Sequence, residues 1–195
     1  MGNKAVKLSI LIRTTHDRHK MFDNLYDVLF GQAMDAEELC EIIYECDGGE
    51  MTKGEKCNLL VKRAIGEYLC FFDDDDLPSD YYIDNILAAI KGGADCSSLM
   101  GVITFDGENP EIFEHSLKYS EWKTNDGSVN PEVKYERYPN HLNAIKSSIA
   151  KQFMFPEINH GEDKEWSDAI YKSGLLKTEG YINTVIYNYI YKSIK

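Results

Sequence analysis

The chain has 195 residues, 43% of them hydrophobic, and a net charge of −12. That length and composition suit a globular protein with a real core, and the acidic balance excludes the basic stripe of a nucleic-acid binder. No apolar run approaches the roughly 18 residues of a membrane span, and nothing at the N-terminus reads as a signal peptide, so a cytoplasmic protein without a transmembrane segment is expected.

Val6 to Ile12 reads as a strand. From Asp17 onward Met21, Phe22, Leu25, Val28 and Leu29 recur at helical spacing, with Gly31 as the stop. Ile42 to Tyr44 is a second strand that closes on Asp47-Gly48-Gly49. Glu55 to Ile65 is a helix with Leu60, Val61 and Ala64 inward and Gly66 at its end. The run Tyr68-Leu69-Cys70-Phe71-Phe72 reads as a strand buried on both faces. Ser79 caps a helix whose inner face is Tyr82, Ile83, Ile86, Leu87 and Ile90, ending at Gly92-Gly93. This alternation implies a parallel sheet with right-handed crossovers.

Past residue 95 the pattern changes. Leu99 to Phe105 is a strand followed by an Asp106-Gly107 turn. Residues 112–119 and 133–138 read as short antiparallel strands, and 119–130 as a mobile polar loop carrying one Trp. Ile145 to Gln152 and Lys164 to Lys172 are expected helices, and Val185 to Tyr191 a last aromatic strand. The five cysteines are odd in number and form no CxxC, which fits reduced thiols.

The Tyr68–Phe72 strand ends in four consecutive aspartates, Asp73 to Asp76. Adjacent carboxylates repel one another, and desolvation adds to the cost. A divalent cation relieves it, and Mg²⁺ typically takes one or two carboxylates plus phosphate oxygens. The expectation is a metal site holding a phosphorylated ligand at the carboxyl end of a sheet. An EF-hand-like loop does not fit, because Leu77 and Pro78 fall where a ligand and a Gly are needed. Asp76 is expected to help cap the following helix.

Several segments carry a family resemblance in their order and spacing. They are the strand followed by Thr14-Thr15, a second strand ending in Asp47, the run Gly54-Glu55-Lys56-Cys57-Asn58, Ala64 to Leu69 leading into Asp73–Asp76, and Gly161-Glu162-Asp163 before Trp166. Together they resemble a family 2 glycosyltransferase with the GT-A fold, most of all the small single-domain members of phage and large viruses. Two positions depart from that pattern: Cys57 stands where many relatives have Arg, and Arg13 where relatives often have Pro.

The resemblance implies an α/β fold, a mostly parallel sheet flanked by helices with a small antiparallel acceptor-side part. It implies one domain over 1–195, with a nucleotide-sugar-binding half (1–105) and an acceptor-binding half (106–195). The implied reaction is inverting transfer of a sugar from a nucleotide-sugar to a glycan or glycoprotein acceptor, with Mn²⁺ or Mg²⁺ as cofactor. A viral member would work in the host cytoplasm. Thr14 and Thr15 would border the nucleoside and Asp47 would accept a hydrogen bond from the base, expected to be uracil. Lys56, Asn58 and Asp74 would lie near the donor, Asp73 and Asp75 would be the metal-binding pair, and Asp163 the general base with Glu162 beside it.

Glycosyl transfer has demands that these residue types meet. Charge develops on the departing β-phosphate, and the acceptor hydroxyl must lose a proton. On the acceptor side, Trp122, Tyr119 and Trp166 are candidate sugar platforms. His141 and His160 are candidates for the metal or acceptor pocket, while His16 and His19 read as exposed. Two alternatives remain open: a catalytically silent nucleotide-sugar binding module, and a phosphatase of the haloacid dehalogenase type. Leu77 at the second position after the Asp-x-Asp pair, and two strand–helix units upstream of it, argue against the latter.

Overall fold

The computed structural model describes residues 5–126 and 132–192. Strand β1 (Leu8–Thr15) lies parallel to β2 (Cys40–Asp47) and to β3 (Tyr68–Phe71), with Thr15 opposite Asp47. Both β1 and β2 run further than their apolar cores suggested. Pairing along the whole register carries the strands out to Thr15 and Asp47, so these polar residues arrive together at the carboxyl edge.

Helix α1 (His19–Asp35) does not stop at Gly31; it continues to an extended Ala36. A mid-helix glycine costs about 1 kcal/mol, and burial of Leu25 and Leu29 outweighs it. Val28 and Met21 face outward instead. Helix α2 (Lys53–Arg63) starts two residues before the expected Glu55, because Thr52 and Glu55 form a reciprocal capping box. Gly66 is not its stop. A Cβ there would meet Ser9 Oγ at 2.6 Å, so close strand packing demands glycine.

After β3 come the two-residue β4 (Leu77–Pro78) and α3 (Tyr82–Ile90), whose expected inner face is fully buried. Ser79 does not cap α3 with its side chain. Its carbonyl accepts hydrogen bonds from the Tyr82 N–H and from Gln32 Nε2. Beyond it lie β5 (Cys96–Ser97), β6 (Leu99–Phe105) and β7 (Glu108–His115). The hairpin between β6 and β7 turns on Asp106 and Gly107, both with positive φ, which suits the right-handed strand twist.

The expected 119–130 loop contains β8 (Lys123–Thr124); its residues 127–130 fall outside the described set. Strand β9 (Tyr135–Arg137) lies parallel to β7, not antiparallel, and β8 closes on β9 antiparallel. The expected 145–152 helix divides into β10 (Ile145–Lys146) and a single turn, α4 (Ser147–Ala150), since Ile145 is drawn into pairing with Leu69. Helix α5 (Glu162–Ser173), β11 (Glu179–Gly180) and β12 (Tyr187–Tyr191) complete the described chain.

Among the described residues the strands form two six-stranded sheets, ordered β11-β5-β10-β3-β1-β2 and β4-β12-β6-β7-β9-β8. Five strands of the first run in one direction, with β10 reversed. The second is mixed and draws strands from both sides of residue 105. Leu8, Ile10, Tyr68 and Cys70 pack with α1, α3 and the second sheet; Leu11, Leu69 and Phe71 pack with α2 and α5. The first sheet is therefore buried on both faces, as its apolar strands required. The architecture is a GT-A-like α/β fold. No helix among the described residues is long and apolar enough to cross a membrane.

Candidate functional site

Parallel β1, β2 and β3 deliver Thr14, Thr15, Asp47 and Asp73 to one sheet edge, where open α/β folds bind ligands. The four aspartates then separate. Asp73 Oδ1 pairs with Arg13 Nη2 at 3.0 Å, and its Oδ2 lies 3.8 Å from His141 Nε2. Burial pulls the Asp73 carboxyl upward, but Arg13 and His141 outweigh it and hold it far below the usual carboxylate range. Asp74 is buried. It accepts from Thr14 Oγ1 at 2.6 Å and pairs with Arg18 at 2.9 Å, yet burial still raises its carboxyl.

Asp75 is the most exposed of the four, at 39%, and its Oδ2 meets Arg18 at 2.6 Å. Asp76 faces the opposite way. It accepts from the Tyr187 hydroxyl at 2.7 Å and the Ile190 N–H at 2.8 Å. It therefore anchors β12 rather than capping α3. Burial and the Asp73 charge push its carboxyl up to about 8.

Arg13 is the centre of the arrangement. Its guanidinium spans from Asp73 to Glu162, the latter at 3.0 Å, and touches Cys57 Sγ at 3.2 Å. The two departures from the family pattern therefore meet in space. A basic group enters from β1, against a small side chain on α2. Burial pushes the Cys57 thiol up to about 11, against the pull of Arg13.

Lys56 contacts the Asp47 carboxylate and donates to the Thr14 carbonyl at 2.8 Å. Burial opposes the charge on Asp47, but Lys56 and the Met51 and Gly49 amides hold its carboxyl below the ordinary range. Lys56 thus ties β1, β2 and α2 together behind the edge. Asn58 points elsewhere. Its amide brackets the Phe155 backbone, accepting from the N–H at 2.8 Å and donating to the carbonyl at 3.0 Å.

Gly161, at φ 83°, turns the chain into α5. Glu162 is buried against Arg13, whereas the Asp163 side chain is 30% exposed. His141 Nδ1 stands 3.8 Å from Asp163 Oδ2, and the ring is buried between Asp163 and Asp73. Neither ring nitrogen has a hydrogen-bond partner among the described residues. The turn that carries it is rigid: the Asn140 and Asn143 side chains accept from its own backbone, and the His141 carbonyl accepts from the Phe71 N–H at 2.8 Å.

Two cavities meet here. The larger, about 580 Å³, is lined by Asp73, His141, His160, Asp163, Trp122 and Arg137 among others. The smaller, about 180 Å³, is lined by Thr14, Thr15, Arg18, Lys56, Asp74 and Asp75 among others. Arg13, Lys53, Asp73 and Tyr189 border both. Trp166 stacks on Phe155 at 4.6 Å in the core, and the Tyr119 hydroxyl donates to Glu114. Neither aromatic lines the cavities.

Sequence reasoning missed Arg18, Lys53, Tyr189 and Arg137. A signal existed for Arg18, which sits three residues past Thr15 in the β1–α1 turn. Tyr189 and Arg137 lie in strands whose partners are distant in sequence.

Among the described residues no group of three or more His, Cys, Asp or Glu is arranged to hold a metal. A divalent ion at a diphosphate needs only one or two carboxylates, since substrate oxygens supply the rest. Asp75 and Asp74 already attract a cation, the Arg18 guanidinium. Carboxylate oxygens are the donor type a hard divalent ion takes, and here Arg18 holds those of Asp74 and Asp75 while Arg13 holds that of Asp73.

No protein-family model matches the chain, and no curated protein matches it. Among solved structures it is similar to S. aureus TarS 1-349, at 15% identity and a TM-score of 0.61, covering 95% of this chain and 60% of that one. The same protein in complex with UDP-GlcNAc aligns at 14% identity and a TM-score of 0.62, covering 97% and 60%. Its complex with UDP aligns at 15% and 0.61, covering 95% and 60%. The chain thus spans about 60% of the length of these structures. At such identity the likeness establishes a shared fold.

Proposed function

We propose that the chain is a glycosyltransferase that moves a sugar from a uridine nucleotide-sugar to a hydroxyl of a glycan or glycoprotein acceptor, with inversion. The observation that carries this reading is the meeting of two cavities at Asp73, one edged by the strand ends and one by Asp163. In this reading residues 1–105 supply the donor contacts and 106–195 most of the acceptor wall, as one glycosyltransferase domain. The UDP and UDP-GlcNAc complexes of TarS support a uridine donor on this fold.

The smaller cavity would take the nucleoside diphosphate. Thr14 and Thr15 border it, and Arg18 and Lys53 offer positive charge to the phosphates; Asp47, which lines neither cavity and is held by Lys56 at the strand edge behind Thr15, would read the base imide from there. Asp75, with Asp73 beside it, would hold Mn²⁺ or Mg²⁺. That ion supplies Lewis-acid stabilisation to the departing β-phosphate. Arg13 fixes Asp73 and Glu162 in one geometry, which keeps the donor edge and the α5 N-terminus in register. The acceptor hydroxyl sits in the larger cavity against Asp163, which takes its proton.

Arg18 and a divalent ion would compete for the same carboxylates. Without nucleotide, Arg18→Ala is expected to bind Mn²⁺ several-fold more tightly. The gain is on the order of 1 kcal/mol for a partly exposed pair. Free Mn²⁺ measured by electron paramagnetic resonance reads this directly; an unchanged affinity would show that the guanidinium does not contest the site.

The reading as a whole is tested by a screen of nucleotide-sugars for Mn²⁺-dependent hydrolysis, with calorimetry of UDP, GDP and dTDP alongside. Hydrolysis and preferential UDP binding are expected. Binding without turnover points to a silent binding module. Phosphate release from simple monoesters points to a phosphatase. Equal affinity for the three nucleotides would reduce Asp47 to a turn residue.

A further inference from the structure

We propose that Arg137 forms an anion-accepting subsite in the larger cavity, so that the acceptor carries a carboxylate or phosphate close to the hydroxyl that reacts. This rests on the glycosyltransferase reading and extends it to the charge class of the acceptor.

The chain has four arginines. Arg13, Arg18 and Arg63 each pair with a carboxylate. Arg137 has no carboxylate partner among the described residues, and residues 127–131, Gly-Ser-Val-Asn-Pro, include no acidic side chain. Its guanidinium is nevertheless fixed. Nη1 donates to the Lys123 carbonyl at 2.7 Å and the Glu136 carbonyl at 2.8 Å. The group lies 5.2 Å from the Trp122 ring centre and 5.6 Å from that of Tyr135.

Two carbonyls use both protons of Nη1. That leaves the Nε and Nη2 donors, the edge that binds carboxylate or phosphate in a fork. Burial lowers the Arg137 pKa, with only Tyr135 acting the other way. A partly desolvated charge held in place with no counter-ion among the described residues is costly, and an anionic ligand removes the cost.

Lys53 also borders this cavity, but at its junction with the smaller one, where the proposed donor phosphates take its charge; the remaining groups do not offer the same contact. Lys164 also approaches the Trp122 ring, at 5.4 Å, but Asp168 neutralises it at 2.9 Å. His115 is held down to about 3 by burial and by His141, so it stays neutral. The cavity acids Asp73, Glu162 and Asp163 belong to the segment after β3 and to α5, not to β9. An anion would avoid them and settle on Arg137, which orients the acceptor with its neutral hydroxyl toward Asp163. The Arg137 contact also occupies a face of Trp122, so this aromatic serves the guanidinium before it serves a sugar ring.

The test uses the full chain saturated with UDP and Mn²⁺, titrated with glucose, glucuronate and glucose 6-phosphate and followed by NMR. Wild type is expected to bind one or both charged sugars about tenfold or more tightly than glucose, the scale of a hydrogen bond to a charged group. The tighter of the two names the source of the anion. Arg137→Gln should erase the preference while UDP affinity stays unchanged. Equal binding of charged and neutral sugars by wild type overturns the subsite without recourse to any variant, and so does a preference that survives in Arg137→Gln. Should UDP itself fail to bind, the glycosyltransferase reading falls. The same titration of the free protein then decides Arg137 alone.

Discussion

On the proposed reading, Asp163→Asn is expected to lower sugar transfer by roughly 10²-fold or more, the contribution of a positioned general base, and to leave donor affinity nearly unchanged. The substitution keeps shape and most hydrogen bonding but cannot take a proton. Two adjacent carboxylates open α5, and their surroundings divide the work. Glu162 is buried and committed to Arg13, so its charge is already used. Asp163 is partly exposed and lines the larger cavity. The proposed donor contacts lie at the strand ends, on other elements, so UDP calorimetry should match wild type. A single carboxylate base implies single displacement, and the product anomer should be opposite to the donor. Retained configuration by NMR would overturn that mechanism even if transfer were confirmed. Undiminished transfer by Asp163→Asn would move the base to a neighbour such as His141 or His160.

If Asp75 holds the ion as proposed, Asp75→Ala is expected to remove the Mn²⁺-dependent part of donor binding, a loss of about 10²-fold given the several kcal/mol that a metal clamp supplies, while the fold persists. Persistence follows from exposure, since Asp75 has one ionic partner, Arg18, and packs no core. Asp75→Asn serves as the milder variant, keeping shape without charge. Asp76 is unsuitable as a control. Its removal leaves the Tyr187 hydroxyl and the Ile190 N–H without their acceptor inside the protein, a loss of stability unrelated to the donor. Calorimetry of UDP with and without Mn²⁺ decides the matter. Wild-type affinity of Asp75→Ala in the presence of Mn²⁺ would remove Asp75 from the metal site.

The amino-acid order by itself determined the strand–helix alternation through residue 95 and the inner face of α3. It also placed the Asp106-Gly107 hairpin, the aspartates at the tip of a buried strand and the acidic start of α5. These are local signals: periodicity reports which face is buried, and Asp-Gly reports a positive-φ turn. Element ends were less legible. Gly31 reads as a stop, yet Leu25 and Leu29 bury enough to carry α1 through it. The start of α2 was visible in the Thr52–Glu55 spacing, which periodicity alone passes over.

What only the tertiary structure decided is which partner each polar group meets. Four identical aspartates acquired four environments because Arg13, Thr14 with Arg18, Arg18 alone, and Tyr187 approach them from different elements. Asn58 and Lys56, neighbours on one helix, were drawn respectively to the Phe155 backbone and to Asp47. Arg13 and Cys57 read as unrelated departures until β1 and α2 packed them into contact. Strand β9 chose a parallel partner, and Arg137 was left without a carboxylate among the described residues, through pairings that span long stretches of chain. Side-chain type and spacing carry the local conformation. The direction from which a distant counter-charge arrives is set by packing, and at this edge that direction separates the half-exposed Asp75, paired with Arg18, from Asp76, a buried structural anchor.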